Sequence, residues 1–155
     1  MKTLLLLISH GLMLALGFAA GIYALPLLTQ PEPPTAAAMA EHSREAVYAG
    51  VLRRELAGSD ALHWGEGKVT LAARSIALQG RLAPGPDYKL YLSPDFVETE
   101  AQFEAIKSRT LRIGDVTTFD GFLLSVPPDV DISQYTTVVI WCEAFGQFIS
   151  AARYQ

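Results

Sequence analysis

Cys142 and His63 are the two side chains of this chain best equipped for redox or metal chemistry. A thiolate is a nucleophile and a soft ligand once a metal, an imidazolium or another cation stabilises it. Joined to an imidazole nitrogen it makes an S plus N donor pair suited to haem iron or copper. The two residues are far apart in sequence, so spacing alone does not bring them together. Each also has a plainer use. A free cysteine often serves as a small buried hydrophobe. A histidine just after Asp60 and just before a glycine-rich stretch can be hydrogen-bonded to backbone at a strand end.

Other chemistry is poorly represented. The chain has no Gly-rich phosphate loop, no Gly-x-Ser-x-Gly elbow and no His-Glu-x-x-His. Outside the apolar N-terminal region only His42 joins His63 as a base or metal ligand. Asp87, Asp95, Asp129 and Asp131 fall in turn-forming sequence, where aspartate caps backbone. These absences argue against a hydrolase or transferase. A net charge of −4 argues against a nucleic-acid binder, which presents a basic stripe. With one cysteine there is no intrachain disulfide, so Cys142 is buried, liganded or paired with another molecule.

The element that must position Cys142 is the run Thr137 to Cys142, β-branched and free of Gly and Pro. Such a run suits a buried central strand. Alternation places Val138, Ile140, Cys142 and Ala144 on one face, and Val139, Trp141, Glu143 and Phe145 on the other. Shorter alternating runs with turn chemistry between them occupy most of the chain from Gly50 onward. Expected strands are Val51–Glu55, Lys68–Ala72, Ser75–Leu78, Tyr88–Leu92, Thr110–Ile113, Gly121–Val126, Val138–Cys142 and Gln147–Arg153. Gly65-Glu66-Gly67 and Pro84-Gly85-Pro86-Asp87 read as turns. Glu98 to Lys107 reads as one short helix across an end of the sheets. The expected fold is mainly β, an antiparallel sandwich or barrel-like domain with one short helix.

An N-terminal transmembrane helix is expected ahead of it. From Thr3 to Leu28 there is no charged side chain, and the hydrocarbon core of a bilayer needs about 20 helical residues. Ile22-Tyr23-Ala24 is a poor cleavage site, which favours an uncleaved anchor in the cytoplasmic membrane through residues 3–28. Lys2 precedes the span and Glu32 is the first charge after it. The N-terminus is therefore expected in the cytoplasm and the β domain in the periplasm or outside the cell. Gly17 and Gly21 have the small-xxx-small spacing of a weak helix-dimer signal. His10 reaches the interface or a backbone carbonyl. The division is 1–28 anchor, 29–46 linker or stalk with a stiff Gln30–Pro34 spacer, and 47–155 β-rich domain. Ala36 to Val47 reads as a short helix or a poorly ordered stalk.

Several segments carry a family resemblance. Gly85-Pro86-Asp87-Tyr88-Lys89-Leu90-Tyr91-Leu92-Ser93, Ile113–Val116, Phe119-Asp120-Gly121 and Val126-Pro127 with Asp131 through Cys142 resemble the DM-thirteen domain family, labelled an electron-transfer domain. The last segment, ending in Trp141-Cys142, is the distinctive one. Asp60 and His63 fall where many members have Asp-x-x-His. The resemblance spans roughly 47 to 154. It implies a redox role for Cys142, as a naked thiol or as the ligand of a prosthetic group such as haem. In animals the domain accompanies DOMON domains, and none is found in this chain.

Two functions follow as expectations. In the first, a membrane-tethered electron-transfer module uses Cys142 as thiol or ligand and His63 as second ligand or base. Trp141 and tyrosines line that site, haem or copper is the cofactor to consider, and a separate envelope protein exchanges electrons. In the second, the domain is a non-redox binding or scaffolding module and Cys142 is core. A third idea, a mixed disulfide at Cys142, lacks a Cys-x-x-Cys to support it.

Overall fold

The computed structural model describes Met1 to Gln155. A long helix α1 (Lys2–Thr29) is followed by a short helix α2 (Ala36–Glu45). Four strands come next: β1 (Tyr48–Leu52), β2 (Gly65–Ala72), β3 (Ser75–Leu82) and β4 (Tyr88–Ser93). After helix α3 (Glu100–Ile106) come β5 (Leu111–Val116), β6 (Phe122–Ser125), β7 (Thr137–Cys142) and β8 (Gln147–Arg153). Two four-stranded antiparallel sheets result, ordered β1-β2-β3-β6 and β5-β4-β7-β8. The expected antiparallel sandwich is the observed one. At one side it verges on closure: a side chain at Gly50 of β1 would lie 2.5 Å from the Arg153 carbonyl of β8.

Strand β7 lies between β4 and β8, and every one of its residues is buried. Its inner face sends Val138, Ile140 and Cys142 into the core between the sheets, against Val69, Leu71, Ile76 and Leu78 of the opposite sheet. Its outer face, with Val139 and Trp141, is covered by α3 through Phe103. Complete burial of one such aliphatic or aromatic side chain contributes about 1.5–3 kcal/mol. A strand covered on both sides draws that contribution at every position.

Three expectations change. Gly65–Gly67 is the start of β2 rather than a turn, with Gly67 at φ +125° opposite Gly80. The strand expected at Val51–Glu55 runs earlier, over Tyr48–Leu52. The helix near Glu98–Lys107 covers the outer face of a sheet instead of an end, because Phe103 packs on Trp141 and Tyr91. Its start is capped by Thr99, whose hydroxyl accepts from the Gln102 N–H.

α1 is long and apolar enough to cross a membrane, and such an N-terminal helix is either an anchor or a signal sequence. Its last turns meet the β domain: Ile22, Ala24 and Pro26 are partly covered, and the Gln30 side chain accepts from the Phe119 N–H at 3.4 Å. α2 is a docked helix, not a loose stalk. His42 is buried between α2 and the first sheet, its Nδ1 2.6 Å from the Ser75 hydroxyl and its Nε2 2.9 Å from that of Thr70. Both ring nitrogens are thus occupied structurally, which removes His42 from the candidate ligands.

Burial pushes the His42 pKa down, partly opposed by the Thr70 backbone contact and the charge of Glu45. The unfolded chain takes up a proton near the ordinary imidazole value of about 6.5, before the folded chain does. His42 docking should therefore stabilise fully above about pH 6.5 and lose its effect as pH falls below it. His42→Leu leaves two hydroxyls unpaired and is expected to cost about 1–3 kcal/mol at pH 7.5. Urea denaturation in detergent micelles should show the gap between wild type and variant narrowing at pH 5.

Candidate functional site

At one end of the sandwich a cavity of about 160 Å³ brings together parts of the chain that are distant in sequence. Its walls are the Leu62–His63 loop before β2, the Pro84–Pro86 turn between β3 and β4, and Phe145 in the β7–β8 turn. Cys142 and Ile149 form the floor, and Ala19, Ile22 and Tyr23 of α1 form one side. Backbone bonds hold these loops in place. The Glu143 N–H donates to the Asp87 carbonyl at 3.0 Å, and the Ala83 N–H donates to the Trp64 carbonyl at 2.9 Å.

Cys142 ends β7 with Tyr88 of β4 directly across from it. It is 2% exposed and still borders the cavity. Burial pushes the thiol pKa up, partly offset by the backbone N–H groups of Phe145, Asp87 and Ala144. The resting group at neutral pH is therefore the neutral thiol.

His63 borders the same cavity, so the two residues singled out in the sequence line one space, with the imidazole hydrogen-bonded to Asp60 and not to the sulfur. Asp60 sets its orientation. One carboxylate oxygen accepts from the backbone N–H groups of Leu62 and His63, at 2.7 and 2.8 Å. The other lies 2.9 Å from His63 Nδ1. A carboxylate only accepts, so the Nδ1 proton belongs to that bond, and Nε2 is the ring nitrogen it leaves free. The hydrogen bond from His63 is the main reason that the Asp60 carboxyl sits below its usual range.

Tyr88 is the third polar group at the cavity, and sequence reasoning did not single it out. Its ring lies under Gly85, where an added Cβ would come within 2.4 Å of the phenol carbons and oxygen. Glycine at 85 is what leaves room for that ring. Burial pushes the phenol pKa upward, with further contributions from the neighbouring Cys142, Tyr23 and Asp60. Tyr88 thus stays a neutral hydroxyl.

Trp141 is elsewhere. Alternation along β7 turns it to the outer face, 4.8 Å from the Phe103 ring centroid. The Lys107 ammonium lies 5.2 Å above its ring and 2.7 Å from the Glu143 carboxylate, which also accepts from the Tyr91 hydroxyl. Trp141 therefore does not line the cavity that holds Cys142 and His63.

The cavity also bears on the cofactors considered above. An apolar cavity of about 150 Å³ accommodates one benzene ring. A tetrapyrrole is far larger, so haem does not fit here. No group of three His, Cys, Asp or Glu side chains converges as a metal site. Copper held through cysteine ordinarily takes two histidines beside it, and here there is one. The lining therefore does not fit haem and does not by itself supply a copper ligand set.

Gly85→Ala should force the Tyr88 ring out of its seat and destabilise the domain by about 1–3 kcal/mol. Adding Tyr88→Leu should recover part of that loss, because the clash is with the ring. Chemical denaturation of the single and double variants measures both.

No curated protein and no solved structure matches the chain. Residues 57–154 match the family described as Electron transfer DM13. That match takes in Asp60, His63, Gly85, Tyr88 and Cys142, all the residues that give this cavity its chemistry. The chain belongs to the electron transfer DM13 family.

Proposed function

We propose that this protein is a membrane-tethered, extracytoplasmic redox module whose working group is the Cys142 thiol. The observation that carries the reading is the meeting of Cys142 and His63 at one cavity, with His63 oriented by Asp60. His63 Nε2 takes the thiol proton when a reactant arrives, and Asp60 steadies the resulting imidazolium. The thiolate so formed passes two electrons to an oxidised partner of the envelope, and water adds to the sulfur with loss of a proton to give a sulfenic acid that a thiol reductant returns to the resting group. Burial keeps the resting thiol neutral and protects it from casual oxidation. α1 tethers the domain, with the positive-inside asymmetry of Lys2 and Glu32 directing it outward. Its electron partner is a separate envelope protein or a molecule that enters the cavity.

A second reading is favoured by the near-complete burial of Cys142 among core residues. There the domain is a scaffold and the thiol is filler. Coulometric redox titration separates the two. The electron-transfer reading expects a couple in the wild type that disappears in Cys142→Ala while the circular dichroism stays unchanged. It also expects oxidation at pH 7 to slow roughly 100-fold in His63→Ala, the loss typical of a missing general base. A couple that survives in Cys142→Ala, or none in the wild type, rejects the redox role.

A further inference from the structure

The side chains that meet α1 are sorted by polarity along its axis. Thr29 and Gln30, where the helix stops, share a cavity with Asp87, Lys89, Asp115 and the exposed Thr117. Lys89 bridges the two carboxylates, 2.5 Å from Asp87 and 3.1 Å from Asp115. Ala19, Ile22 and Tyr23 instead share the Cys142 cavity with Leu62 and Phe145, and no Asp, Glu, Lys or Arg lines that space. At 1.5 Å per residue the two levels lie roughly 12 Å apart along the helix.

Leu62 and Phe145 are 57% and 55% exposed. Beyond α1, Val47 and Val51 are the other large apolar side chains so exposed. Leu62 precedes β2 of one sheet, and Phe145 lies in the β7–β8 turn of the other. Neither belongs to a strand, so sheet pairing does not call for an apolar residue at either position. Both nevertheless stand beside the same stretch of α1.

The membrane supplies a reason. No charge interrupts α1 from Thr3 to Leu28. A hydrocarbon core takes about 20 helical residues, which from Thr3 sets its outer boundary near Ile22 and Tyr23. Tyrosine is enriched at that level, where its ring is apolar and its hydroxyl wet. Apolar loop tips beside Ile22 and Tyr23, with charged side chains beside Gln30, follow the change from lipid to water. Water on all sides would impose no such order.

We infer that Leu62 and Phe145 form a membrane-docking surface, entering the outer boundary of the phospholipid bilayer that α1 spans while Asp87, Lys89 and Asp115 stay in water. The inference rests on α1 remaining in the membrane and not on a redox role for Cys142. To a tether it adds a fixed seat, which turns the Cys142 cavity toward the lipid headgroups.

The test uses the full chain in phosphatidylcholine nanodiscs. Part of the lipid carries a photoactivatable diazirine near the carbonyl end of one acyl chain, and adducts are mapped by mass spectrometry. Adducts are expected on α1, Leu62 and Phe145 and not on Thr117. Phe145→Asp should lower the yield at Leu62 about fivefold, and Leu62→Asp the yield at Phe145, because a carboxylate in one tip draws both out of the lipid. Both positions are exposed, so these substitutions leave the fold intact. Adducts on α1 with none on Leu62 and Phe145 overturn the docking surface and leave the tether standing. Adducts missing from α1 as well overturn both. Equal yields on Thr117, Leu62 and Phe145 reject docking too, since a seated domain keeps Thr117 in water.

Discussion

Burial of β7 on both faces is the constraint from which the remaining architecture follows. A strand buried at every position, with Val138, Ile140 and Cys142 on one face and Val139 and Trp141 on the other, needs two separate covers. The opposite sheet supplies one, through Val69, Leu71, Ile76 and Leu78, and α3 supplies the other through Phe103. Neither cover is optional, since an uncovered face would leave Ile140 or Trp141 against water. The result is a rigid support whose last residue, Cys142, lies where the core gives way to the end loops. A thiol at the margin of a packed core is held in position by its neighbours and still borders open space.

The two faces of β7 end in different chemistry. On the inner side Cys142 borders a cavity that also holds a tyrosine and an imidazole. On the outer side Glu143 is paired with Lys107 and with Tyr91. Partial burial tends to raise the Glu143 carboxyl, but those two partners outweigh it and keep it below its ordinary range. The thiol lies in an environment that disfavours its ionised form.

Local and long-range forces share the assembly of that site. Asp60 and His63 organise themselves within one turn, through bonds between near neighbours. Tyr88 needs Gly85, three residues away, for room. Bringing the loops together is a matter of sheet pairing: Tyr88 faces Cys142 only because β4 and β7 are hydrogen-bonded in that register. A slip of one residue in either strand would turn that strand's side chain away from the cavity.

Much of this was written into the chain. Alternation along Thr137–Cys142 put Cys142 and Trp141 on opposite faces, and the β-branched run marked a strand buried on both sides. Turn chemistry separated most of the strands, and an uninterrupted apolar run defined α1. Gly65–Gly67 misled, because glycine permits a strand under close backbone approach as readily as a turn. His42 was unreadable for a different reason: a lone imidazole reveals nothing of its partners, and here they are Ser75 and Thr70 on two neighbouring strands. The meeting of His63 with Cys142, the size of their cavity and the role of α1 as its wall were likewise beyond the sequence. Periodicity and turn propensity act between near neighbours along the chain. Which distant strands pair, and what space is left at their ends, is decided only when two sheets and a helix close on one another.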